Sequence, residues 1–491
     1  MTLLTKPPAG ASPTPSQPDP DTQPAADRGW FRAFLLRIHF YAGILAGPFL
    51  LVAAVSGGLY AMAPQLEQAM YSKELQVPAV TEPLPLSTQV KAAMDHADGD
   101  ALVTVRPAPG PEDTTRVLFA DASLGESQYR TLFVDPGTAE IRGDLPTYGS
   151  SGALPVRTWI SNLHRSLNLG EPGRVYSELA ASWLWVIALG GLLLWIERIR
   201  RKRTTKNTAP KPRPATGRAR TVWLHGTTGT ILLAAFLFLS ATGLTWSENA
   251  GANVSTLRTA LDWTTPTLKT SLTGPSSAAA GDHSGHGSTA ASAELPAFDP
   301  VMFDTVTRIA RADIISAPMI DIKPPAKPGT AWSVTETGRE WPASASAVAV
   351  DPATGQITSR LDFDDFNPAA KLTRWGIAAH MGLLFGLPNQ LALLGIAAGL
   401  AAMVGWGYVM WWKRRPSRGS ARAFGRPAPR GAFLRGHWAG VLTAITVMVA
   451  VGLFLPLLGY SLLAFIALDT LVAEVKRRQR RHPLDTTAPG K

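Results

Sequence analysis

Apolar residues gather along this chain in runs long enough to cross a hydrocarbon core of about 30 Å, which takes roughly 20 helical residues. The runs lie near Leu35–Met62, Tyr176–Ile196, Thr221–Thr245, Leu391–Trp412, Gly436–Leu455 and Leu457–Val475. Pro456 breaks the last 40 residues of apolar sequence into a hairpin of two helices. Polar segments of about 85 to 125 residues separate the first run from the second and the third from the fourth. Each polar segment holds a helical stretch and then β-rich runs, RTLFV at Arg130–Val134 and ASAVAV at Ala345–Val350, followed by Asp-Pro turns with Gly. The pattern predicts a mainly α membrane protein of six transmembrane helices with two α+β modules outside the membrane.

Charge orients the helices. Residues 198–220 carry 10 Lys/Arg and no acid, and residues 413–435 carry 8 Lys/Arg and no acid. The segment 63–155 holds 13 acidic and 6 basic residues. Basic loops stay on the cytoplasmic side, so both linkers and both termini are expected inside and both polar segments outside. The net charge of +11 then belongs to juxtamembrane loops and gives no reason to expect nucleic acid as a partner. The expected layout starts with a disordered cytoplasmic tail (1–29), without the apolar core of a signal peptide, and a first membrane helix (30–62) acting as an uncleaved anchor. The first external module (63–155), a short outer helix with the second crossing (156–199) and a basic linker (200–220) follow. The second copy has a third crossing (221–247), a module (248–370) with a mobile loop at 271–292, and a short outer helix with the fourth crossing (371–412). A second linker (413–435), the C-terminal hairpin (436–475) and a cytoplasmic tail (476–491) complete it.

The chain is an internal tandem repeat. VDPGTAEI starts at Val134 and VDPATGQI at Val350, and 30 residues after each valine stands a histidine, His164 and His380. Both open an H-x5-G pattern. His39 and His225 open matching apolar runs with glycine at the fourth position on, Gly43 and Gly229, and close 18 residues later on Ser56-Gly57 and Thr242-Gly243. Paired histidines at matched positions of duplicated membrane segments point to a symmetric site.

Depth decides how they pair. His39 and His225 begin outward-going helices at the inner face, while His164 and His380 follow the external modules at the outer face. Eighteen residues of helix span about 27 Å, too far for one inner and one outer histidine to share a metal. Two repeats with the same orientation imply a pseudo-two-fold axis along the membrane normal, so His39 pairs with His225 and His164 with His380. With no cysteine in the chain, disulfides, thiolate metal sites, iron–sulfur clusters and c-type haem are excluded. Zinc wants four ligands, and no Asp, Glu or Cys lies near. A b-type haem needs two axial ligands and an apolar pocket, so two bis-histidine haems fit the pattern. The plainer alternative is that these histidines anchor helix ends at the interface. His437, at the inner end of the fifth run, is a further candidate ligand that would replace His39 or His225. His283 and His286, in GDHSGHG, form either a loop metal site or part of a polar linker. His96 and His482 read as surface residues.

These residues resemble the PepSY-associated transmembrane proteins, whose members include inner-membrane ferric-siderophore reductases of bacteria. The resemblance covers about Leu35 to Arg415. It rests on Ile38-His39-Phe40-Tyr41-Ala42-Gly43 through Ser56-Gly57, on Leu224-His225 through Thr242-Gly243, on Leu163-His164-Arg165-Ser166-Leu167, and on the Val-Asp-Pro-x-Thr-Gly turn at Val350–Gly355. The first copy departs at Gly137-Thr138-Ala139, and His380 is followed by Met-Gly where His164 is followed by Arg-Ser. A role for Arg165 toward a haem propionate is therefore not duplicated. The resemblance implies PepSY-like modules, haem on the repeated histidines and one-electron reduction of a ferric siderophore or other ferric chelate.

That makes an oxidoreductase of the plasma membrane the leading expectation. No Gly-rich dinucleotide fingerprint is present, so the electron donor would be a separate flavin reductase, a reduced flavin or membrane quinol. Two other classes stand beside it: a non-enzymatic PepSY envelope sensor that binds peptides, and a metal or siderophore transporter with His283 and His286 as a capture loop. The scarcity of mid-membrane acids speaks against an ion-coupled carrier.

Overall fold

A computed structural model describes residues 29–204, 216–272, 298–351, 353–413 and 437–481. The N-terminal tail, most of both basic linkers, and the histidines His283, His286 and His482 lie outside the described residues.

The first apolar run folds as two helices, α1 (Trp30–Leu45) and α2 (Gly47–Ala61), bent by 56° at their junction. Pro48 explains the break, because it has no N–H to give the carbonyl of Ile44 four residues earlier. That carbonyl accepts the Tyr408 hydroxyl instead, at 2.8 Å. Gly47 makes room for it, since a Cβ there would meet the Tyr408 hydroxyl at 3.1 Å. Next come α3 (Ala63–Met70), α4 (Ser72–Leu75), α5 (Leu86–Ala97) and four strands, β1 (Leu102–Arg106), β2 (Thr115–Phe119), β3 (Gln128–Val134) and β4 (Ile141–Tyr148). The short helix α6 (Pro155–Ser166) ends where Leu167 and Asn168 turn left-handed, and α7 (Glu171–Thr204) crosses.

The second copy repeats this order. α8 (Gly217–Ile231) and α9 (Leu233–Thr245) bend by 60° at Leu232, here without a proline. α10 (Asn249–Ala260) and α11 (Val301–Arg311) precede β5 (Ile320–Lys323), β6 (Trp332–Glu336), β7 (Ala347–Val350) and β8 (Ile357–Leu361). α12 (Pro368–His380) and the crossing helix α13 (Gly386–Trp412) follow, then α14 (Trp438–Phe454) and α15 (Pro456–Arg481). The crossing helices α7 and α13 therefore start at Glu171 and Gly386, inside the Gly/Pro stretches expected to precede them.

The described residues contain 2 helices long and apolar enough to span a membrane, or up to 4 if each bent pair is one span. The C-terminal helices Trp438–Phe454 and Pro456–Val472 are apolar but shorter. Before its bend each paired helix packs on the crossing helix of its own copy, α1 on α7 and α8 on α13. Beyond the bend it reaches the other copy, α2 on α13 and α9 on α7. The bends thus interlock the two repeats.

The two polar segments also join. Their strands form one 8-stranded antiparallel sheet in the order β4-β3-β2-β1-β5-β6-β7-β8, symmetric about the β1–β5 seam. Each half would otherwise leave an unpaired edge. Arg106 staples the seam with two bonds to buried Asp321, at 2.7 and 3.1 Å. The two expected modules share a single core, in which Val90, Phe119, Leu132, Phe303, Trp332 and Val334 pack beneath α5 and α11. α6 and α12 tie this sheet to the membrane helices. Glu67 accepts the Leu154 N–H at 2.7 Å and pairs with Arg157 at 3.5 Å, while Arg374 donates to the carbonyls of Gly338 and Ser344.

Candidate functional site

Four half-buried histidines meet as two pairs. His164, near the end of α6, faces His380, the last residue of α12, with ring centroids 6.5 Å apart. His39 of α1 faces His225 of α8 at 6.2 Å.

Each ring is held through Nδ1. Ser56 Oγ lies 3.0 Å from His164 Nδ1, and Thr242 Oγ1 lies 2.5 Å from His380 Nδ1. Both hydroxyls already donate their single proton to the helix carbonyl four residues back, at Val52 and Phe238. They are left to accept, so the imidazoles donate. The other two histidines are held by main chain, His39 Nδ1 by the Ile187 carbonyl at 3.0 Å and His225 Nδ1 by the Met403 carbonyl at 3.1 Å. The hydrogen-bond network thus assigns Nδ1–H to all four rings and leaves the Nε2 lone pairs for whatever lies between them.

Glycines let the rings approach. A Cβ on Gly57 would sit 3.1 Å from His164 Cε1, and one on Gly191 would sit 3.0 Å from His39 Cε1. Gly43, one turn beyond His39 on the same face, borders open space. His380 also meets the edge of Trp246 at 5.4 Å.

The comparisons with known proteins can be set beside this geometry. The PepSY-associated TM region family matches residues 36–414. The chain belongs to that family. No curated protein matches it. The matched stretch begins just before His39 and ends just after α13, so it contains all four paired histidines and the whole sheet of this PepSY-associated membrane protein.

A metal bound between two imidazole nitrogens at about 2 Å from each sets the ring centroids about 6 Å apart. Both pairs have that spacing. Among the described residues no group of three or more His, Cys, Asp or Glu could hold a metal, so any metal here takes two protein ligands. The other candidates stand apart. His437 is exposed, accepts the Ala439 N–H at 3.3 Å as the N-cap of α14 and stacks beside Trp438. His96 is exposed on α5. Arg165 turns from the pair to bond Tyr148 and Asn162, each at 3.0 Å.

Sequence reasoning left several site residues without a role. Ser56 and Thr242 appeared only as run-closing positions, yet their repetition before glycine in both copies was a signal. The carbonyls of Ile187 and Met403 had none, since every residue carries one. Glu178 of α7 was also passed over. It is buried and accepts the N–H groups of Asn249 and Ala250 at the start of α10. A polar cavity of about 250 Å³ lies between α6 and the β3–β4 edge, lined by Gln128, Tyr148, Trp159, Asn162 and Asn168. Its α6 wall is the helix that carries His164.

Proposed function

We propose that this membrane protein carries two b-type haems, one at each histidine pair, and passes single electrons across a bacterial plasma membrane to a ferric siderophore or another ferric chelate. The observation that carries this reading is the matched spacing of both pairs with all four Nδ1 atoms tied back. When bound, haem supplies one-electron Fe(III)/Fe(II) chemistry. The residues supply the rest. His39, His225, His164 and His380 present neutral Nε2 ligands in fixed tautomers. Ser56, Thr242 and the carbonyls of Ile187 and Met403 stop the rings from turning. The apolar walls of α2, α7, α9 and α13 exclude water.

In this reading the basic linkers and both termini face the cytoplasm, the C-terminal hairpin brings the crossings to six, and the two sheet halves are PepSY-like modules outside. His164–His380 is then the outer pair and His39–His225 the inner one. The polar cavity beside α6 is the docking place for the chelate, with Trp159 and Tyr148 as stacking surfaces and Asn162, Asn168 and Gln128 as hydrogen-bonding groups. The net acidic charge of 63–155 favours neutral or cationic chelates.

The test is a reduced-minus-oxidised visible spectrum of the purified chain with haem quantified per chain. Two haems per chain are expected, and one after His164→Ala or His39→Ala. A chain expressed with ample haem that binds none overturns the reading.

A further inference from the structure

A second cavity lies beside the inner pair. It is a cleft of about 180 Å³ between α1, α7 and α15. Tyr41, Phe49, Trp183 and Phe465 bring four aromatic rings to its walls, and Ala42 and Ala46 form a smooth floor. Leu45, 62% exposed, stands at its open lip. Two polar features interrupt the apolar lining. The Ser461 hydroxyl donates to the Leu458 carbonyl at 3.0 Å and accepts the Trp183 indole N–H at 3.0 Å. A hydroxyl has two lone pairs, so Ser461 can accept one further donor. At the foot of the cleft Arg37 lies over the Tyr41 ring and pairs with Asp469, one turn past Phe465.

The cleft also touches the inner pair's supports. Ile38 and Ala42 line it, and they flank His39 on α1. Trp183 lies one turn before Ile187, whose carbonyl holds His39. An occupant of the cleft would thus share a helix wall with the inner pair.

We propose that this cleft binds a lipid-soluble quinol, the electron donor for the inner pair; this rests on the haem reading above. The chemistry of the lining selects the ligand. Stacked aromatic walls suit one flat ring, and the volume is about that of six waters at ~30 Å³ each, room for a substituted ring but not for a flavin nucleotide. One ring hydroxyl donates to Ser461. The charged foot complements the opposite hydroxyl, with Asp469 as acceptor and Arg37 as donor. A lipid tail would use the apolar walls but neither polar end. The open lip faces the flank of the helices, where a quinol dissolved in the bilayer arrives. Oxidation balances as quinol going to quinone with loss of two electrons and two protons. The electrons leave one at a time to ferric haem at His39–His225, and the protons leave to water at the charged foot.

The test places the full chain in phosphatidylcholine–phosphatidylglycerol nanodiscs with a short-chain azidobenzoquinone. After illumination, label is expected on the stretch Ile38–Phe49 and around Ser461–Phe465. Leu45→Trp fills the lip without touching a histidine. It should cut labelling, and the rate at which a soluble quinol reduces the chain, by about tenfold. Haem content and the dithionite-reduced spectrum should not change. Label outside the cleft, label undiminished in Leu45→Trp, or label displaced by added phospholipid alone overturns the proposal. Label in the cleft of a chain without haem sinks the electron-transfer reading and keeps the binding site. Two haems with no label in the cleft do the reverse.

Discussion

The two histidine pairs are built from the same repeat, yet they are held differently. At His164–His380 the restraining acceptors are side-chain hydroxyls, Ser56 and Thr242. At His39–His225 they are main-chain carbonyls, Ile187 and Met403. The two anchoring carbonyls are 216 residues apart, as are His164 and His380. The difference therefore lies between the two ends of each copy and not between copies. A carbonyl cannot be removed by substitution, whereas a hydroxyl can. The outer pair is the one whose second shell selection can adjust residue by residue, and the inner pair is fixed by helix packing alone.

The largest effect should come from the ligands themselves. His380→Ala and His164→Ala are each expected to remove one haem per chain and leave the inner centre's spectrum intact. His225→Ala and His39→Ala should do the converse. His437→Ala should leave both, and loss of a haem in that variant would move the inner ligand to α14. Next come the hydroxyls. Ser56→Ala and Thr242→Val should weaken haem retention at the outer pair about 10- to 100-fold, the usual cost of deleting a ligand's outer-shell partner. Titrating haem into the stripped variants measures this. Equal weakening at both pairs would erase the distinction between them. Crowding offers the matching probe for the inner pair, because a Cβ on Gly191 would press on His39 Cε1 at 3.0 Å. Gly191→Ala should therefore broaden the inner signal alone.

What the sequence could reveal follows the same division. The matched positions of the four histidines were enough to choose partners, because helix rise forbids an inner–outer pair. The carbonyl anchors left no trace, since their identity is independent of the side chain. Pro48 announced the first bend, but nothing at Ile231-Leu232-Leu233 announced the second. In that stretch Thr230 donates to the Gly226 carbonyl, a back-bond that often bends a helix. The single sheet was equally hidden. Its seam pairs Val105 with Ile322 across more than two hundred residues of chain. Alternation within each strand reports a buried face and says nothing about which edge it will meet.

Smaller effects test the frame that carries both pairs. Tyr408→Phe removes the donor to the Ile44 carbonyl at the first bend. A buried acceptor left without a partner costs about 1–3 kcal/mol, which should appear as a lower midpoint in thermal unfolding with the second bend unaffected.

The smallest expected effect is a pH dependence confined to the first copy. Burial pushes the Glu67 carboxyl above its ordinary value of 4.5, while Arg157 and the Leu154 N–H pull it back. The folded state then holds this proton more tightly than the unfolded chain does. Its contribution to stability is greatest below the ordinary glutamate range and declines as pH rises through the raised folded value. Glu67→Gln keeps an oxygen for the Leu154 N–H and has no proton to lose, so the wild-type decline should flatten in the variant. The position one residue before Arg374, where the second copy aligns with Arg157, is Thr373, which bonds its own helix at Ala369. Thr373→Val should therefore leave the pH profile of unfolding unchanged. Parallel profiles for wild type and Glu67→Gln would show that α6 is seated on the sheet by packing, with no contribution from that charge.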